Sequence, residues 1–268
     1  MDRAALDAAY NNSAAVSNST ALMADLRARS DRLRSEMPRH VDLAYGDGER
    51  NRIDYFPAAS RGPLVVFIHG GYWQMRARED FSALARGPLA LGIHIAMVGY
   101  TLAPDISLTG IVAEIRSAIR WLTQRAEDLG ADADRIYVSG WSAGAHLTAC
   151  VLDEPAVKGG LAISGIYDLE PMRCCYINDK LNLSEEELRH LSPLKQISSA
   201  SVPLTIACGG SELPELRRQS ADYAAARARA GLPGRIVEIA GCNHFTILEE
   251  LVKPAGALTS LLQELVEP

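Results

Sequence analysis

The stretch "YVSGWSAGAHL", Tyr137–Leu147, decides how this chain is read. A short apolar run with strand character leads into Gly140-Trp141-Ser142-Ala143-Gly144, and helix-forming residues follow. A bare G-x-S-x-G pentapeptide occurs by chance in many proteins. Between a strand and a helix it has mechanics. The serine sits on a strained strand-to-helix turn, and small residues two before and two after it let the backbone pack tightly. The hydroxyl then points out of the sheet, and the helix that follows aims its positive end at the same place. Ser142 is therefore a candidate nucleophile.

Outward from that turn, the pattern alternates. "PLVVFIH" is a continuous apolar run bounded by Pro63 and Gly70, which suits a strand buried on both faces. "EDFSALARGPLALG" reads as a short helix and "IHIAMVGY" as a second buried strand. "GIVAEIRSAIRWLTQRAEDLG" has Ile111, Ile115, Ile119 and Leu122 at helical spacing and stops at Gly130. "VKGGLAIS", "VPLTIACGG" and "RIVEIAG" are further strands, with helices over "ELPELRRQSADYAAARARAG" and "PAGALTSLLQELVE". "HVDLAYG" and "NRIDYFP", around the turn "GDGER", form a hairpin pattern. The fold class is α/β, a mostly parallel central sheet with helices on both faces. One domain is expected over residues 1–268, with a helical segment over 1–40 ended by Pro38. The irregular stretch over 165–200 is expected to form a small cap above the site. In such a sheet, functional residues gather at the carboxyl ends of strands.

Composition narrows the function classes. Hydrophobic residues make up 48% and charged residues 22%, as in soluble globular proteins, so disordered and collagen-like classes drop out. A net charge of −6 without a basic block argues against nucleic acid or an anionic membrane as partner. The arginines between Arg27 and Arg34 alternate with Asp25, Asp31 and Glu36, the pattern of a solvated helix face. Five scattered cysteines with no CxxC pair suit free thiols in a reducing compartment, and a cytoplasmic location is expected. "MDRAALDAAYNNSAAV" has no signal-like organisation, and no apolar stretch reaches spanning length. No metal or organic cofactor is expected.

A serine hydroxyl needs a base to take its proton, and the base needs an orienting carboxylate. On this architecture the chain order is serine, acid, histidine. His244, in "IAGCNHFTILEEL" after the last strand, is the candidate base. His190 lies in the acidic "SEEELRHLSP" and reads as a surface residue, while His146 is one turn past Ser142 in the helix layer. "LTIACGGSELPEL" offers two acids. Glu215 falls in a first helical turn, where the macrodipole alone favours it. Glu212 is in the loop and is the candidate that orients His244. An oxyanion formed at Ser142 also needs donors: the N–H of Ala143 and those of Gly70 and Gly71 in "FIHGGYWQ". His69 then braces the loop. Tyr72, Trp73, Trp141 and Phe245 flank these residues and are candidate substrate contacts, with Tyr176 and Asn178 added from the cap; Asp168 reads as structural, and Cys242 as a packing residue.

The chain resembles the arylformamidase (kynurenine formamidase) group of α/β-hydrolases, related to hormone-sensitive-lipase-type esterases. The resemblance rests on "YNNSAAV", "HGGYW", "YTLAP", "GWSAGAHL", "SGIYDLEP", "GGSELPELRRQS" and "NHFTILEEL", spread over most of the chain. It implies an α/β-hydrolase fold, a triad at Ser142, Glu212 and His244, and an oxyanion hole at Gly70, Gly71 and Ala143. Where the family usually has Asp, this sequence has Glu212, one methylene longer. The implied reaction is hydrolysis of an aryl formamide such as N-formylkynurenine through an acyl-enzyme. A carboxylesterase acting on short-chain or aryl esters is the alternative, and a ligand receptor without turnover is a third reading, against which the intact triad argues. The expected partner is thus a small-molecule formamide or ester, with a homodimer allowed.

Overall fold

The apolar run Pro63–Ile68 lies within β3 (Gly62–Ile68), in which every residue is buried. A computed structural model describes residues 1–267, Arg39 through its backbone alone. β3 runs parallel to β4 (His94–Val98) on one side and β5 (Ala131–Trp141) on the other. The sheet continues through β6 (Val157–Ile163), β7 (Leu204–Gly209) and β8 (Gly234–Ile239), all parallel. The predicted hairpin, β1 (Leu43–Ala44) and β2 (Arg52–Phe56), adds two antiparallel strands beyond β4, giving the order β1-β2-β4-β3-β5-β6-β7-β8. The chain steps outward from β3 to β4 and then returns to lay β5 on the other side of β3. The reversal of strand order falls between β3 and β5, where the carboxyl ends of an α/β sheet open a crevice.

Side-chain alternation along β3 shows both faces covered. Leu64, Val66 and Ile68 join one core cluster, together with Ile111, Ile115, Ile119 and Leu122 of α5 (Leu108–Arg125). Val65 and Phe67 join the other, against Met23, Leu26 and Leu33 of α3 (Ser19–Glu36) and Leu258, Leu261 and Leu262 of α12 (Ala257–Val266). The remaining long helices are α6 (Ala143–Cys150) and α10 (Pro214–Arg229). The N-terminal helical segment is broken into α1 (Arg3–Ala9), α2 (Asn12–Ala15) and α3, because Asn11 turns its side chain to accept from Ala14 N–H and starts a new helix. The short helix predicted after β3 is a 3-10 stretch, Arg78–Ala85, running into α4 (Arg86–Ala90). The stretch over 165–200, read as irregular, holds three short helices, α7 (Glu170–Arg173), α8 (Asn178–Leu181) and α9 (Glu185–His190). A single turn, α11 (Glu249–Val252), precedes α12. Among the described residues, no helix is long and apolar enough to cross a membrane.

One buried carboxylate ties the N-terminal segment to the sheet. Asp54 of β2 is fully buried and accepts from Arg34 Nε of α3 at 2.7 Å, from Arg78 Nε at 3.2 Å and from Asp42 N–H at 2.8 Å. Removing the acceptor strands a buried guanidinium and a backbone donor together, and breaking such a pair typically costs about 3 kcal/mol or more. Asp54→Ala should therefore lower the unfolding free energy by about 3 kcal/mol in urea denaturation, with little effect on the slope of the transition.

Candidate active site

β5 ends at Trp141 and α6 begins at Ala143, so Ser142 alone makes the turn. Its backbone stands at φ 57°, ψ −118°, a region that costs a non-glycine residue strain and is held only by surrounding structure. The flanking glycines supply the room. A Cβ at Gly140 would lie 2.3 Å from Gly144 O, and one at Gly144 would lie 1.9 Å from Ile68 O. The G-x-S-x-G spacing thus follows from the contact of α6 with the end of β3. Ser142 N–H is held by Ile163 O of β6 at 2.8 Å.

The three predicted polar side chains meet at that rim. His244 Nε2 is 3.1 Å from Ser142 Oγ, and His244 Nδ1 is 3.1 Å from Glu212 Oε2. All three residues are buried. A carboxylate on Nδ1 fixes the tautomer with its proton there, leaving the Nε2 lone pair for the serine hydroxyl. Glu212 Oε1 accepts from Gly209 N–H at 2.7 Å and from Ser164 Oγ at 2.5 Å. The His244 ring rests on Trp141, centroids 4.7 Å apart, and Trp141 Nε1 donates to His244 O at 2.9 Å. Glu215 pairs with Arg218 at 2.8 Å in the first turn of α10, away from the histidine.

The loop after β3 brings backbone donors beside the serine. A Cβ on Gly70 would lie 3.0 Å from Ser142 Cβ and 2.7 Å from Trp141 O, so only glycine allows this approach. Gly71 is needed for its dihedral, φ 115°, and a Cβ there would strike Met75 O at 2.1 Å. Tyr72 and Trp73 follow at φ 50° and 61°, a left-handed turn closed by Gln74 and Met75 N–H on Gly71 O. Among the described residues, none outside the strand ladder accepts from the N–H of Gly70 or Gly71. Ala143 is the first residue of α6, so its N–H has no partner within the helix. His69 braces this loop as predicted: Nδ1 donates to Gly70 O at 2.7 Å, and the ring stacks on Tyr100 at 4.2 Å.

The predicted aromatic pocket takes a different form. Trp73 is fully buried, edge-on to His146, and Phe245 packs on Trp141. Tyr72 donates to Tyr10 O and accepts from Asn12 Nδ2 at 2.9 Å. Tyr176 lies edge-on to Tyr72, and Asn178 turns its Oδ1 back to accept from Leu183 N–H at 2.8 Å. Tyr72 and Asn178 thus spend polar atoms on partners within the protein, while Trp73 and Phe245 are buried, the Trp73 Nε1 without a partner. The cleft beside His244, about 190 Å³, is lined instead by Asn12, Ala15 and Val16 of the N-terminal segment and by Ser211, Leu213 and Pro214 of the loop carrying Glu212. The sequence reading placed no site residue in the N-terminal segment; its one signal was that "YNNSAAV" belongs to the resemblance. Ser164 was also missed, although a small polar residue directly after a buried strand is the position where such sheets place functional groups. His190 is exposed at the end of α9, and His146 is buried with Nε2 donating to Leu191 O at 2.7 Å. Asp168 is local structure, accepting from Glu170 N–H at 3.1 Å.

Comparison with known proteins places this geometry among relatives. The BD-FAE family model matches residues 55–153. Kynurenine formamidase from Danio rerio is 34% identical over 258 residues, covering 90% of this chain and 86% of that protein. The Salmo salar enzyme of the same name is 31% identical with the same coverage. Among solved structures, a Silicibacter protein provisionally called a thioesterase superposes with a TM-score of 0.87 at 28% identity, covering 96% of this chain and 98% of that one.

Two outcomes follow from the packing. Gly144→Ala drives a methyl into the end of β3 and should yield protein that is insoluble or melts far below the parent in a thermal scan. Burial also pushes His69 and His146 down from 6.5 to about 4. The unfolded chain then binds protons that the folded chain refuses, so stability is complete above pH 6.5 and is lost as pH falls toward 4. In His146→Gln, which keeps a donor for Leu191 O, the melting temperature should fall less steeply across that window than in the parent.

Proposed function

The chain belongs to the kynurenine formamidase family, an α/β-hydrolase acting on formamide or ester substrates, and on that premise we propose that it is a serine hydrolase of aryl formamides of the N-formylkynurenine type. The observation that carries this reading is the unbroken line from Ser142 through His244 to Glu212, set beside the glycine amides of the β3 loop.

In this reading Ser142 Oγ attacks the formyl carbon while His244 Nε2 takes its proton. The carbonyl oxygen becomes an oxyanion that accepts from the N–H groups of Gly70, Gly71 and Ala143. These dipoles are fixed before the reaction starts, and losing one such donor typically costs about 3 kcal/mol of barrier. Glu212 stabilises the imidazolium. The tetrahedral intermediate collapses as His244 returns the proton to the departing anilide nitrogen, leaving a formyl ester on Ser142 and a free arylamine. An anilide nitrogen conjugated to its ring leaves more readily than an alkyl amine, which suits an esterase-like site. Water then attacks the formyl ester with His244 as base, and formate departs.

The burial of Ser142, 2% exposed beneath the glycine loop, supports a small acyl group over a long chain. Formyl is the smallest, and the aryl group would occupy the cleft beside His244. The likeness to a protein provisionally called a thioesterase favours an ester or thioester as the second reading, since either passes through the same steps. Comparing kcat/KM for N-formylkynurenine and p-nitrophenyl acetate separates the two. The formamide should be turned over efficiently; an inert formamide with a good ester would leave the esterase. With either substrate, Ser142→Ala should lower kcat by about 10,000-fold or more, while the fold by circular dichroism stays intact.

A further inference from the structure

We propose that Ser164 is a positioning residue that holds Glu212 in register with His244, an inference that rests on the triad reading above. β6 ends at Ile163, and Ser164 stands next at φ 55°, in the left-handed region that a serine rarely adopts. Its N–H remains bonded to Ala207 O of β7 at 2.7 Å. The backbone is therefore anchored to the sheet while the unusual dihedral turns the side chain toward the rim. There its hydroxyl donates to Glu212 Oε1 at 2.5 Å, fully buried.

The need for this donor lies in the length of the acid. A glutamate has one more rotatable bond than an aspartate, and a single local hydrogen bond leaves it free to turn. Oε1 is held from two directions, by Ser164 Oγ and by Gly209 N–H at 2.7 Å. Gly209 can come this close because a Cβ there would lie 2.3 Å from Cys242 O and 3.1 Å from that same Oε1. With Oε1 fixed, the carboxylate plane has one orientation left, and Oε2 stays on His244 Nδ1. Hydrogen bonds behind a functional group commonly matter nearly as much as the group itself. A hydroxyl merely satisfied in the core would need neither the left-handed backbone nor this particular acceptor.

The test is a double-mutant cycle read with p-nitrophenyl acetate, so that it does not depend on formamide selectivity. Ser164→Ala should lower kcat by about ten- to a hundredfold, as expected for a lost hydrogen bond to a charged group, with KM changed by less than about threefold. Ser164→Gly, which accepts the dihedral without strain but lacks the hydroxyl, should lose as much. In a Glu212→Ala background, Ser164→Ala should change kcat by less than about twofold, because there is no carboxylate left to position. Near-parental kcat in Ser164→Gly would overturn the proposal, and so would an equal loss from Ser164→Ala in both backgrounds. Parental kcat in Glu212→Ala alone would overturn the triad reading and this proposal with it.

Discussion

The site is built on one close contact, the N-terminal turn of α6 pressed against the end of β3. No side chain fits between them at residue 144, where a methyl would sit 1.9 Å from a carbonyl oxygen. At that contact Ser142 makes its strained turn and the Gly70 backbone lies alongside. The sheet topology makes the contact available. Because strand order reverses between β3 and β5, their two following loops diverge and leave a crevice between them.

Around that contact the molecule buries polar atoms and gives those of the Ser142, His244 and Glu212 side chains partners within the protein. Glu212 has partners on both oxygens, His244 on both nitrogens, and His69 is kept neutral by burial. In the proposed reaction the buried Glu212 carboxylate faces the imidazole that becomes charged on taking the serine proton. Low local polarity then strengthens their attraction without any reorganisation of solvent. The aromatic residues serve the same end. Trp141 supports the histidine ring from below, and Trp73 seals the floor of the glycine turn.

The N-terminal segment completes the cleft from far away in the chain. Arg3 binds Asp179 at 2.7 Å, Asp7 accepts from Tyr176 N–H at 2.7 Å, and Tyr10 is buried against Gln219 of α10 at 2.8 Å. Burial pushes the Tyr10 phenol up to about 12, so it remains a neutral donor and acceptor within this network. These ties carry Asn12, Ala15 and Val16 across the rim to form one wall beside His244. The segment over 165–200 serves as the anchor for that wall.

The parallel sheet and the meeting of Ser142, His244 and Glu212, rather than Glu215, were legible in the sequence. Each follows from local rules: small residues flanking a turn, apolar runs of strand length, and polar residues placed just after strands. The two glycines of "HGG" were legible as a pair but not in their separate reasons, since Gly70 is required by its neighbours and Gly71 by its dihedral. The tertiary structure alone decided what surrounds the triad. Tyr72 and Trp73, candidates because they flank the glycines, are held by long-range hydrogen bonds and core packing, while Asn178, a candidate from the 165–200 stretch, accepts from Leu183 N–H. For Asn12 and Ser164 the local signals were too weak to single them out, because one reaches the site through a helical segment 130 residues before the serine and the other through a single backbone dihedral. Periodicity records which face of an element is buried; what lies opposite that face is set by contacts between distant parts of the chain.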